Sequence, residues 1–288
     1  MDADAEQTLP KPSTTPFPSN GQLLAEETEE LLTASLAAMR ANLQQTPAWS
    51  LAPPPTDDFL LMFLRTEVFS PSAAADRYRK FWKMKVFLCG EEKAPFPIKA
   101  EDAEAALKTE YIQLVPGSKD VEGRQVESSA DGAPPIFGRV VLMKPGNMNT
   151  KLDKKLRALA VWYVLLAGLE DVETQRRGFC FLVDPKTVTI RQMDSKYMKL
   201  AMESLQGALP LRIGSINICY PPTFFRLVWA IINPFLHARV KKRVRVISGT
   251  DVQVQDALGY IVTPENLPTP MGQKTLDFSG WLEERTGN

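Results

Sequence analysis

The sequence predicts an α/β chain in which an N-terminal helical lobe precedes a mostly parallel sheet with crossover helices. Three observations carry this prediction. Up to residue 114, apolar residues recur at helical spacing between proline breaks. After Gly138, short β-branched runs alternate with longer helical stretches, as in strands joined by crossover helices. The 288 residues, 44% of them hydrophobic, are enough to bury a full core. The expected boundaries are a tail at 1–20, the helical lobe at 21–114, a loop at 115–138, the α/β domain at 139–275 and a C-terminal tail at 276–288.

Residues 1–20 are rich in Pro, Ser and Thr and have no apolar period. No core contact offsets the entropy of ordering them, so a disordered tail is expected. Over 23–43, Leu24, Leu31, Leu32, Leu36 and Met39 follow helical spacing, with Glu26, Glu27, Glu29 and Glu30 toward the N-terminal end. Pro53, Pro54 and Pro55 cannot continue a helix, and Thr56 or Asp57 then offers a cap for the apolar segment 59–63. Ser70 and Pro71 repeat the signal and open a helix through Tyr78, Phe81, Trp82 and Val86, closed by Gly90. Helical spacing returns over 100–111, and the Gly/Ser/Pro-rich stretch 115–138 reads as a loop. Strands are expected at 139–143, 178–183, 215–220 and 243–248, and helices at 151–169, 194–207, 222–237 and 251–259.

Composition narrows the function. Lys+Arg 34 balances Asp+Glu 34, so no global field favours nucleic acid. The acidic start lacks a signal peptide's cationic flank, and the apolar run 158–169 falls short of the ~20 residues that cross a bilayer. Cys89, Cys180 and Cys219 are far apart and odd in number, which reads as reduced and cytoplasmic. A monomer is expected. One histidine and scattered cysteines supply neither a metal site nor a cofactor ligand set. With His237 the single histidine, no Gly-x-Ser-x-Gly elbow and no phosphate-binding glycine loop, an enzyme is not expected.

Two segments stand out. The helix 151–169 is apolar on every face in its second half, a pattern that a central core helix also satisfies. The helix over 222–236 carries two stripes: Phe224, Val228 and Ile231, and beside them Phe225, Trp229 and Ile232. A crossover helix needs one greasy face, so the second must meet another core element, a partner, a membrane or a ligand. Next comes HARVKKRVR at 237–245, which is either a solvated face or an anion-seeking patch beside the apolar helix.

VETQRRG at 172–178 before a strand ending at Asp184, LPLR at 209–212, Pro222 with Phe225, and INPFL at 232–236 together resemble the CRAL-TRIO lipid-binding family. The likeness is greatest to its tocopherol-transfer and retinal-binding branch. FLLMFLR at 59–65 and the Phe69, Tyr78, Phe81, Trp82 spacing resemble the lobe before the lipid domain, and Leu267, Pro268 and Gly272 its end. The likeness covers about residues 55–275. Both Gly123-Arg124 and Gly138-Arg139 resemble the family's Gly-Arg turn, and the strand at 139 is the favoured reading. The chain departs from the pattern at Asp184-Pro185, Tyr220, Gln273 and Gly214, where the family carries a glycine turn, Asn, Gly and Arg.

The resemblance implies one hydrophobic small molecule or phospholipid lying between the sheet and a mobile gate helix, 222–236. Phe224, Val228 and Ile231 would face the bilayer or the pocket mouth, with Phe225, Trp229 and Ile232 inward. Alternation puts Phe179, Phe181 and Val183 on one face of the second strand and Ile216 and Ile218 on one face of the third, together the expected cavity lining. Val161, Trp162, Leu165, Leu205, Leu209 and Leu211 complete the expected wall, which also counts Val228. The resemblance further implies membrane partners, with phosphoinositide headgroups at Arg212, Arg239, Lys241 and Arg243. A scaffold with a filled pocket is the competing reading, because Trp162, Phe179 and Phe181 are large.

Overall fold

The computed structural model describes residues 14–16, 23–46, 49–115, 138–259, 262 and 264–287. The helical lobe forms where capping side chains place it. Thr28 accepts a 3.2 Å hydrogen bond from the Leu31 amide and opens α1 (Glu29–Gln45). Thr56 accepts from Phe59 at the head of α2 (Asp57–Thr66), directly after the proline run. α3 (Pro71–Cys89) starts with Pro71 in its first turn and stops at Gly90, whose φ of 82° favours glycine. Phe63, Tyr78, Phe81 and Trp82 meet edge to face between α2 and α3, with centroids 5.2 to 6.2 Å apart.

Three expectations change at the ends of the chain. β1 (Thr14–Pro16) pairs antiparallel with β2 (Leu23–Ala25), so these residues belong neither to a tail nor to a helix beginning at 23. The helix waits for Thr28, which caps it. The rest of the expected tail 1–20 lies outside the described residues. At the other end, Asp277 caps a helix, Phe278–Thr286, where the sequence reading has a tail. Trp281 of that helix lies 6.0 Å from the Tyr163 ring, and Arg285 pairs with Glu170 at 2.5 Å.

The helical spacing over 100–111 is realised only as the short turns Ala100–Ala103 and Glu104–Leu107, followed by an unexpected strand β3 (Ile112–Leu114). Residues 116–137 of the expected loop lie outside the described residues. The other strands are β4 (Val140–Met143), β5 (Phe179–Val183), β6 (Ile213–Cys219) and β7 (Val244–Ile247). Among the described residues they form one sheet in the order β3-β4-β5-β6-β7, with β3 antiparallel and every other pair parallel.

Crossover helices cover the sheet. α4 (Lys154–Gly168) and α5 (Val172–Arg177) join β4 to β5; α6 (Ser195–Glu203) continues as a π turn, Ser204–Ala208, before β6. α7 (Phe225–Ile232) and α8 (Ala238–Lys241) lead to β7, and α9 (Asp251–Leu258) follows it. Alternation divides the core. Phe179 and Phe181 point to the side that holds α4 and the helical lobe, while Cys180 and Leu182 pack on Val254, Leu258, Leu267 and Met271.

Candidate functional site

A cavity of about 200 Å³ lies between the inner face of the sheet and α7. The strands supply its floor: Met143 from β4, Phe181 and Val183 from β5, Ile213, Ile216 and Ile218 from β6, and Val244 from β7. Parallel pairing sets Phe181 beside Ile216 and Val183 beside Ile218, so the floor follows from period-2 alternation. Phe225, Val228, Trp229 and Ile232 of α7 form the roof, with Leu236 and Val240 beyond it. Among the described lining residues, Gln192 and Gln206 alone carry polar side chains.

Helix geometry decides which stripe faces in. At about 100° per residue, positions 225, 228, 229 and 232 fall within one narrow sector, and 227 points the opposite way. Val228 is accordingly buried at 7% exposure and Leu227 is 51% exposed. Val228 therefore belongs to the inner stripe and not to an outer one shared with Phe224 and Ile231, which flank the roof half-buried.

Six expected wall residues lie elsewhere. Val161, Trp162 and Leu165 are buried on α4, which packs against α3, β3 and α6, and the Trp162 ring sits 5.1 Å from Phe81. An all-round apolar helix does not say which neighbour each face meets, and here the helical lobe takes the Trp162 face. Phe179 is spent on interlocking the sheet with α4: a Cβ on Gly168 would stand 2.5 Å from its ring. Leu209 is fully buried after the π turn, and Leu211 lines a neighbouring cleft. The sequence reading missed the methionines that line one end: Met148, Met193, Met198 and Met202, besides Met143. Their flexible thioethers make a deformable wall. Met198 and Met202, four apart on α6, were the available signal.

A basic cleft of about 490 Å³ adjoins the cavity and shares Leu205, Gln206, Ile213 and Val240 with it. Of the four expected cations, Arg212, Arg239 and Arg243 line it; Lys241 does not, and Lys242 takes its place because the single turn of α8 aims the two lysines differently. Arg77 and Glu67 also line it, paired at 2.5 Å. Burial, with Arg243 nearby, pushes Arg212 down to about 10, still charged at neutral pH. Its guanidinium donates to the Arg176 carbonyl at 2.9 Å, and Arg243 donates to the Ile213 carbonyl at 2.6 Å.

The buried Gln206 ties these parts together. Its side-chain amide donates to the Phe235 carbonyl at 2.8 Å and accepts from the His237 amide at 2.7 Å, clasping the chain just after α7. Arg77 of the lobe donates to the carbonyls of Gln206 and Leu209, at 3.2 and 2.9 Å. No helix among the described residues is long and apolar enough to cross a membrane, and none of their His, Cys, Asp and Glu side chains group as metal ligands.

Comparison with known proteins places this architecture. The model of the CRAL/TRIO domain matches residues 138–272. Clavesin-2 of Rattus norvegicus is 30% identical over 116 residues, 39% of this chain and 34% of that protein. Clavesin-1 of Rattus norvegicus is 26% identical over 242 residues, 81% of this chain and 62% of that protein. The chain thus spans about a third of clavesin-2 and less than two thirds of clavesin-1. The crystal structure of Sfh5 superimposes with a TM-score of 0.56 over 88% of this chain and 92% of that one, at 12% identity, a likeness of fold alone.

Proposed function

Because the chain belongs to the CRAL/TRIO family, we propose that it encloses one hydrophobic, lipid-like molecule beneath α7 and carries it between membranes. The carrying observation is the cavity itself: a floor of strand side chains and a separate helical roof, with two glutamines as the polar side chains of its described lining. Such a wall offers no charge to a reacting group, and the reading assigns the chain no chemical step. A cargo burying roughly 400 Å² of apolar surface would gain about 10 kcal/mol at ~25 cal/mol per Å², before ordering costs.

The cavity holds about 200 Å³, below the ~300–1,000 Å³ usual for ligand sites, so cargo loading requires α7 to move outward. Its outward Leu227 gives the moving helix an apolar side to rest on a bilayer. The neighbouring arginines suit an anionic headgroup, and a phosphoinositide seated between Arg212, Arg239 and Arg243 would dock the gate at the membrane. The same small volume favours a second reading, a scaffold of this fold whose pocket is filled by its own side chains.

Donor vesicles made from a natural lipid extract, mixed with plain acceptor vesicles, separate the two readings. A carrier enriches one lipid class in the acceptors in proportion to protein added. No transfer above the spontaneous rate for any class would leave the scaffold reading.

A further inference from the structure

A second concave surface, of about 800 Å³, lies along the segment clasped by Gln206, with His237 lining both it and the arginine cleft. Its rim carries Lys80 and Lys83 from α3, Lys154 from α4, and Lys196 and Lys199 from α6. Glu203 is the one carboxylate among its described lining residues, 3.8 Å from Lys199. Lys80, Lys83, Lys154 and Lys196 form no ion pair among the described residues. Five ammonium groups over low-dielectric walls focus a positive field that an anion would satisfy.

The floor of this groove is apolar. Met84, Phe87, Leu200 and Phe235 line it, and Phe87 is 45% exposed, with the Lys155 ammonium 4.3 Å from its ring centroid. Cations above an apolar floor complement a molecule that is itself part anion and part hydrocarbon. The groove also adjoins the cargo cavity, since Met202 and Gln206 line both. Met202 is a flexible side chain that can swing aside, whereas Gln206 is held by the backbone on either side.

We propose that the cargo is a single-chain amphiphile with an anionic head, carboxylate or phosphate. The head lies among Lys80, Lys83, Lys154, Lys196 and Lys199, and the chain runs past Met202 into the cavity. Lysines act as point charges and impose no fork geometry, so either head chemistry fits them. The groove houses the head outside the 200 Å³ cavity, so that the outward movement of α7 has to make room for the chain alone. This inference rests on the cavity reading above.

Calorimetric titration of the full chain with oleate, oleoyl lysophosphatidate and oleyl alcohol, each below its micelle concentration, tests it. At least one anion should bind about tenfold tighter than the uncharged alcohol. In the combined variant Lys80→Gln, Lys83→Gln, Lys196→Gln and Lys199→Gln, that preference should vanish while the alcohol's affinity stays within about twofold. These side chains are exposed, and circular dichroism verifies the fold. Met202→Trp should weaken all three ligands. The anion preferred by the wild type identifies the head. Equal affinities for all three, or a preference that survives the four substitutions, overturns the proposal and leaves the cavity standing; failure of the alcohol as well as both anions to bind removes the cavity reading too.

Discussion

Val183 and Ile218 stand side by side on adjacent parallel strands and both face the cavity. A carboxylate there has no partner, so Ile218→Asp and Val183→Asp should each abolish lipid retention in a protein whose circular dichroism is unchanged. Normal lipid uptake by either variant would take that side chain out of the wall. Trp162 makes the opposite case: Trp162→Ala should cost about 3 to 5 kcal/mol in chemical denaturation and leave the lipid stoichiometry alone, because its ring packs on Phe81. Glu27 gives a pH dependence. Burial pushes its carboxyl up, but hydrogen bonds and charge from Arg65 and Arg176 outweigh this and hold it down to about 2. Its contribution is therefore complete above its unfolded value near 4.5 and fades as pH falls toward 2. Glu27→Gln should flatten the stability profile in that window by about 2 to 3 kcal/mol; an unchanged profile would mean that the two arginines do not hold the carboxyl down in the folded chain. Phe181, Val183, Ile216 and Ile218 were legible in the sequence because a strand's period maps position directly onto face. Trp162 was not, since its neighbours come from a distant segment, and of the methionines Met198 and Met202 alone carried a signal, their spacing on one helix.

α7 packs Val228 inward and turns Leu227 to solvent, so substitutions on its two sides should separate transfer from stability. Leu227→Asp should slow vesicle-to-vesicle transfer severalfold with an unchanged melting temperature. Trp229→Ala should lower stability by about 2 kcal/mol, less than a fully buried tryptophan costs, because the side chain is half-buried. An early-melting Leu227→Asp that transfers normally would make α7 a plain core helix. Gln206→Ala removes both bonds to the segment after α7, and hydrogen exchange over 225–240 should then quicken relative to the sheet. Equal protection in both proteins would remove the clasp. The four parallel strands and their crossover helices could be read from the sequence, since each carries a period several residues long. β1, β2 and β3 are three residues each, too short to show one, and the segment that forms the C-terminal helix has little amphipathic pattern.

Charge is balanced across the chain yet concentrated around the end of the gate, where Arg212, Arg239 and Arg243 line one cleft and Glu67 is already taken by Arg77. Arg239→Gln with Lys242→Gln, both exposed, should lower binding to phosphoinositide vesicles without emptying the cavity, and added salt should weaken the wild-type interaction in the same way. Phosphatidylserine vesicles of matched charge should bind less well; equal binding to both would reduce the cleft to nonspecific attraction. All of this depends on the cavity beneath α7 holding a lipid, and native mass spectrometry of the purified chain after incubation with membrane extract reads that occupancy directly. The expected spectrum shows one lipid per chain, lost after organic extraction and absent from Ile218→Asp. A spectrum of bare protein in every case, or the same lipid mass on Ile218→Asp as on the wild type, would contradict it.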